Sequence, residues 1–268
     1  MDFSMKKRIH IATFSENAQN VIRRYGLNIE LNDLCISEAL DEENREETVK
    51  RMRTEICESK AESVIMHGPF TEIIPASIDH RAVELGLTRL EEAYQVCREM
   101  GICRMVVHSG YMPLLYFKEW HHEKSVFFWK KFMEHKPADF HIYIENVFED
   151  EPVMMKKLIE DIGHPQVHLC LDTGHANAVT SESYTIYDWI EILGKHIGHF
   201  HLHNNNGRED LHGSLTEGTM DMERVLDCID RCCCEDVTMT IESRSCEDSA
   251  VWICKYAEKQ KKFGQLQG

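Results

Sequence analysis

His141-Ile-Tyr-Ile-Glu-Asn-Val-Phe-Glu-Asp-Glu-Pro-Val-Met-Met-Lys-Lys-Leu-Ile-Glu-Asp-Ile-Gly-His-Pro-Gln-Val-His-Leu-Cys-Leu-Asp172 holds one full structural period of this chain. Residues 141–147 form a short apolar run with a glutamate near its end. Pro152 opens a longer amphipathic run that Gly163 stops, the order expected of a helix with proline in its first turn and glycine just past its last. Residues 167–171 are apolar again and are followed at once by an aspartate. The pattern predicts strand, helix, strand, with an acid at the end of each strand.

The same alternation extends in both directions. Predicted strands and helices pair as 9–14 with 16–25, 28–34 with 44–57, 63–67 with 81–100, and 103–108 with 123–135. They continue as 141–147 with 152–162, 167–171 with 187–193, 199–203 with 222–232, and 237–241 with 250–263. Strands that alternate with helices form parallel sheets through right-handed crossovers. Eight such units in 268 residues predict a single (β/α)8 barrel domain over 1–268, near the usual length of about 250. An open doubly wound sheet is the alternative, but the glycine-rich turn it needs after its first strand is missing. No linker, low-complexity tract or internal repeat interrupts the pattern. The long connection 109–122 reads as an active-site loop.

Composition narrows the partners. Forty-six Asp and Glu outweigh 30 Lys and Arg, a net charge of −16. Duplex binding draws on lysine and arginine, so the balance speaks against DNA; three divalent ions would still leave the chain at about −10. No apolar run reaches the ~20 residues of a membrane span. The charged start of the chain does not read as a signal peptide. The 11 cysteines, an odd number without such a signal, fit free thiols in a reducing cytoplasm.

The informative feature is what ends the strands. His67, His108, Glu145, Asp172 with His175, His201 with His203, and Glu242 all stand at or just beyond predicted strand ends, and Asp210 and His212 follow in the loop after strand seven. In a barrel of this kind catalytic side chains occupy that face. A lone histidine there is usually a hydrogen-bonded structural residue, but many buried ionisable groups together are costly unless they bind ions. The set suits Zn²⁺, with Mn²⁺ or another transition metal as alternatives. His10, His80, His135, His141, His164, His168, His196 and His199 fit solvated ends, turns or packing behind the site. His121 and His122 read as a surface pair on the long loop. Ser109, Tyr111, Asn146, His203, Asn204 and Arg244 are the residues expected around a substrate, with the alternative that Ser109, Asn146, Asn204 and His203 stand behind the ligands and orient them.

By order and spacing these segments resemble the xylose isomerase-like TIM barrel superfamily, and within it the AP endonuclease family 2 (endonuclease IV-like) branch. The resemblance implies up to three zinc ions: one on His67, His108 and Glu145, a second on Glu145, Asp172, His201 and Glu242, and a third on His175, Asp210 and His212. The run His212-Gly-Ser-Leu-Thr-Glu-Gly also resembles the segment that closes the third site. A narrower subset, Glu145, Asp172, His201 and Glu242, resembles the one-metal site of the superfamily's sugar epimerases, where the two glutamates would move protons. The loop Gly68-Pro-Phe-Thr-Glu-Ile-Ile-Pro departs from the tyrosine-containing segment that enters DNA in the repair enzymes.

These readings lead to an expected metal-dependent phosphoester hydrolase acting on a small phosphorylated or sugar-like molecule, with Glu145 and Glu242 as catalytic carboxylates. Sugar or sugar-phosphate isomerisation, abasic-site cleavage in DNA, and a non-enzymatic ligand-binding barrel are the alternatives. The sequence leaves oligomeric state open.

Overall fold

The structure is a computed structural model that describes residues 7–267, and side chains as far as residue 259. The charged first six residues, part of the stretch read above as no signal peptide, lie outside the described residues.

Eight parallel strands close in sequential order into one barrel. They are β1 (Ile9–Ala12), β2 (Asn28–Leu31), β3 (Val64–His67), β4 (Arg104–His108), β5 (His141–Glu145), β6 (Val167–Asp172), β7 (Ile197–Leu202) and β8 (Thr238–Ile241). β8 pairs back to β1 through Ile9–Met239, His10–Thr240 and Ile11–Ile241, so the sheet has no edge. The helices α1 (Ala18–Tyr25), α2 (Glu42–Ser59), α3 (His80–Met100), α4 (Lys118–Met133), α5 (Pro152–Ile162), α6 (Thr173–Val179), α7 (Ile186–Leu193), α8 (Met222–Cys232) and α9 (Cys246–Gln267) follow the strands. Gly26, Gly101 and Gly163 end α1, α3 and α5 in left-handed geometry, as the sequence predicts.

Two corrections concern the long connection and strand six. α4 begins at Lys118, so His121 and His122 lie in its first turns rather than on a loop. His121 is buried against Tyr111 and Ser125 instead of standing on the surface, and His122 pairs with Asp161. The short helix α6 escaped the sequence reading because Thr173-Gly-His-Ala-Asn-Ala-Val is too brief to show a helical period. Asp172 caps it, accepting from the His175 backbone N–H at 2.6 Å.

The core between barrel and helices is built on Trp129, Trp189, Phe128, Phe140 and Phe200. Inside the barrel Ile65, Val106, Tyr143 and Cys170 form a small apolar cluster. The remainder is polar: His10, Glu30, His199, His201 and Thr240 are fully buried. Of the places expected for His10 and His199, packing behind the site is the one observed, since both are fully buried within the barrel. The β6–β7 pairing shifts register between Leu169 and Cys170. Gly198 occupies the extra position, where a side chain would meet the Tyr143 ring at 2.6 Å. Beyond the shift, His199 and His201 are both fully enclosed. No disulfide joins the 11 cysteines; Cys97, Cys170, Cys228 and Cys246 are buried, on α3, β6, α8 and the start of α9. Among the described residues no helix is long and apolar enough to cross a membrane.

Candidate metal centre

Each strand from β3 to β8 delivers at least one of the nine expected ligands to the same end of the barrel, and Glu145 lies at their centre. Its Oε2 stands 3.4 Å from Nε2 of His67 and 3.4 Å from Nε2 of His108. Its Oε1 stands 3.3 Å from Nδ1 of both His175 and His201. Nδ1 of His201 is also 3.3 Å from Glu242 Oε2 and 3.8 Å from Asp172 Oδ2. A third group forms around Asp210, whose Oδ2 lies 3.3 Å from His175 Nε2 and 3.2 Å from His212 Nε2. The nine side chains thus fall into three overlapping groups that meet at Glu145 and His175.

Hydrogen bonds outside the cage fix which ring nitrogen faces inward. Nδ1 of His67 donates to the Gly68 carbonyl at 3.0 Å, that of His175 to Asn146 at 3.0 Å, and that of His212 to Glu242 at 2.8 Å. In each ring Nε2 faces a carboxylate and is the nitrogen that would ligate a bound ion.

This arrangement fits divalent ions on two observations. Buried Glu145 Oε2, Asp172 Oδ2 and His201 Nδ1 have no hydrogen-bond partner although they converge, and each orphan would cost about 1–3 kcal/mol if nothing met it. The donor spacings of 3.2–3.4 Å also match two atoms on one tetrahedral ion, about 3.3 Å apart for bonds of about 2.0–2.1 Å.

Without an ion the charges lean on one another. Burial raises the Glu145 carboxyl, but His201, His108 and His175 more than reverse this and hold it well below its ordinary value. Burial lowers the His201 imidazole, yet Cys170, Glu242, Glu30 and Glu145 carry it well above. His108, dominated by burial, drops to about 3. Asp172 is opposed by burial but is drawn down to about 2 by His175 and His203. Glu242 is raised by burial, with His201 only partly compensating, so among Glu145, Asp172, Asp210 and Glu242 it alone keeps its proton more readily than usual.

Five of the six residues expected around a substrate are turned inward. Ser109 donates its hydroxyl to Glu149. The Tyr111 ring is buried against His121. Asn146 clasps the Asp172 backbone through both ends of its amide, at 2.9 and 3.1 Å. Asn204 ties the loop to Met220. His203 donates Nε2–H to Asp172 Oδ1 at 3.0 Å and stacks on His212 at 4.2 Å. These residues brace the cage, and Arg244 alone of the six is exposed. The ring of His203 fits only because residue 174 has no side chain: a Cβ there would lie 1.9 Å from its Cε1.

Sequence reading missed Glu30, which is fully buried in β2 and hydrogen-bonded to His199 and His201. The available signal was a charged residue inside the run Asn28-Ile-Glu-Leu. The rim of the cage mixes exposed apolar side chains with polar ones such as Arg208, Glu209 and Arg244. Phe14, Ile36, Leu114, Phe117, Phe148 and Leu211 are exposed on loops that follow strands, and Leu114 holds a left-handed φ of 66°. Phe70 stacks on His108 at 4.2 Å, and Phe14 meets His212 edge-on at 5.5 Å.

Comparison with known proteins adds the following. The profile described as xylose isomerase-like TIM barrel matches residues 27–256. An uncharacterised protein of Methanocaldococcus jannaschii is 27% identical over 177 residues, which is 61% of this chain and 59% of that protein's length. A probable endonuclease 4 of Mycobacterium leprae is 25% identical over 184 residues, 65% of this chain and 71% of its own. Among solved structures, a D-tagatose 3-epimerase-like protein superposes with a TM-score of 0.74 at 21% identity, covering 97% of both chains.

Proposed function

This chain belongs to the xylose isomerase-like TIM barrel family, and from its cage of side chains we propose that it is a metal-dependent hydrolase of a small phosphoester. The observation that carries this reading is the third group, His175, Asp210 and His212, packed beside the other two. A one-metal isomerase has no use for it. His67, His108 and Glu145 would hold one ion, Glu145, Asp172, His201 and Glu242 a second, and His175, Asp210 and His212 a third. The imidazole and carboxylate donors suit zinc, with manganese as the alternative. Bound divalent ions would supply Lewis acidity toward a phosphoryl oxygen and lower the pKa of water to near 7.

The residues of the chain do the rest. Glu145 turns one oxygen to each side of the cage and ties the groups together. Glu242, 3.3 Å from His201 Nδ1, closes the second group from the β8 side. Asn146 and His203 keep Asp172 in place. The exposed cations on these loops, Arg208 and Arg244, are too few for the basic track a long polyanion needs. Lys118, a cation near the mouth, is engaged by Asp150 at 2.6 Å and Glu151 at 2.8 Å. Phe70 lies against His108 rather than free to enter a duplex. A small substrate, phosphorylated or sugar-like, fits this mouth better than DNA.

One observation favours a second reading, isomerisation or epimerisation of a sugar or sugar phosphate. Glu145 and Glu242 both lie 3.3 Å from His201 Nδ1, a pair of carboxylates about one position. The similar solved structures lean the same way, since they include L-ribulose and D-allulose 3-epimerases. A metal count decides between the two. Protein purified without added metal, then equilibrated with zinc and freed of excess, should carry two or three ions per chain by elemental analysis. It should also hydrolyse a chromogenic phosphodiester. One ion or fewer, with ketose epimerisation and no phosphodiester turnover, would overturn the hydrolase.

A further inference from the structure

Beneath the three ligand sets the barrel interior holds a further ionisable group, Glu30, whose carboxylate comes close to His67, His201 and Glu242. Glu30 projects from the middle of β2 and is fully buried. Its Oε1 lies 3.0 Å from Nε2 of His201, and its Oε2 lies 3.1 Å from Nε2 of His199 and accepts from the Thr240 hydroxyl. His199 reaches Thr238 through its other nitrogen at 2.7 Å. A buried carboxylate costs several kcal/mol of desolvation unless donors surround it, and here three donors do.

His201 is the odd ring of the cage. His67, His175 and His212 each donate Nδ1–H to a backbone carbonyl and present Nε2. His201 is mounted the other way, with Nδ1 pointing at Glu145, Asp172 and Glu242 and having no hydrogen-bond partner of its own. No backbone carbonyl meets its Nε2; a side-chain carboxylate does. A carboxylate behind an imidazole sets the tautomer, orients the ring and raises the basicity of the far nitrogen.

We propose that Glu30 is a positioning residue for the metal centre: it accepts the Nε2 proton of His201 and so keeps Nδ1 as the lone pair that faces the cage. Through Thr240 and His199 it also anchors that ring to β8 and β7. The inference rests on the reading that the cage holds metal, and its test separates the two.

Zinc affinity of the full chain is measured by competition with a chromophoric chelator, for wild type, Glu30→Gln and Glu30→Met. Folding of each metal-free variant is checked by circular dichroism. Loss of such a partner costs about 10–100-fold in affinity. The expected fall is about 10-fold for Glu30→Gln, which keeps shape and one acceptor, and about 100-fold for Glu30→Met. In zinc-loaded, ¹⁵N-histidine-labelled wild type, the His201 proton, assigned by its loss in His201→Asn, should sit on Nε2. Glu30→Gln is nearly isosteric, so it carries the test if Glu30→Met fails to fold. Wild type that binds no zinc removes the metal reading itself. Wild type that binds zinc while Glu30→Gln binds it equally well overturns the role of Glu30, as does a His201 proton found on Nδ1.

Discussion

The contact between residue 174 and His203 gives a sharp test of the cage. Gly174 lies in the first turn of α6, where alanine would ordinarily favour the helix by up to about 1 kcal/mol. Here the added Cβ would stand 1.9 Å from His203 Cε1 and 2.4 Å from both ring nitrogens. Those distances require the ring to move. His203 is fully buried, so the clash falls in the overpacking range of about 1–3 kcal/mol. Displacing it also breaks the bond to Asp172 Oδ1, worth about 1.5–3 kcal/mol for a charged acceptor. After the helix gain, Gly174→Ala should cost about 3 kcal/mol. At about 2–4 °C per kcal/mol for a chain of this size, Tm should fall by roughly 6–12 °C. Thermal unfolding in the presence of chelator measures this without contribution from metal. The decisive arm is the double mutant. In a His203→Ala background the methyl group enters vacated space, so adding Gly174→Ala should change stability by less than about 1 kcal/mol, a coupling within the range seen for touching residues. A single mutant within 2 °C of wild type, or strict additivity in the cycle, would refute the packing argument.

Three other outcomes are expected. Glu145→Gln should abolish turnover under either mechanism, whereas His212→Ala should weaken the third ion by at least about 10–100-fold and cripple hydrolysis while sparing a one-metal epimerase; elemental analysis and both assays on each variant check this. Abasic-site duplex should not be incised at physiological salt, because phosphate neutralisation needs a basic footprint; efficient incision that disappears in Glu145→Gln would restore a repair function. On α2, burial, with Asp33 adding to it, raises the Glu55 carboxyl to about 7. A raised folded-state pKa means stability that is present below the unfolded value and lost as pH rises through 7. Glu55→Gln should therefore be more stable than wild type at pH 8 and equal to it near pH 4, by denaturant unfolding in chelator.

Much of this was legible in the chain because parallel strands of a barrel are buried on both faces and read as short apolar runs. An ionisable residue at the end of such a run stands out, as His67, His108, Glu145 and Glu242 do. The boundaries were less legible. Helix α4 starts five residues before the predicted 123, since Lys118-Glu-Trp-His-His offers no apolar period and its register is set by tertiary contacts such as Trp120 with the Ala76 carbonyl at 2.8 Å. The direction of side chains was least legible. Ser109, Asn146 and Asn204 carry groups that could meet a substrate or a neighbour, and only the fold shows them spent on Glu149, Asp172 and Met220. Glu30 went unseen because strand periodicity says which residues alternate, not that two rings of β7 await a carboxylate from β2.

The scattered thiols give the molecule a use of its own. Cys97, Cys170, Cys228 and Cys246 are sealed in α3, the barrel wall, α8 and the first turn of α9, while Cys57, Cys103 and Cys234 are open to solvent. A buried thiol meets an alkylating reagent only when its surroundings open. Timed alkylation read by peptide mass spectrometry would therefore record, at four marked positions and without any engineered probe, whether the ring of strands comes apart all at once or sector by sector.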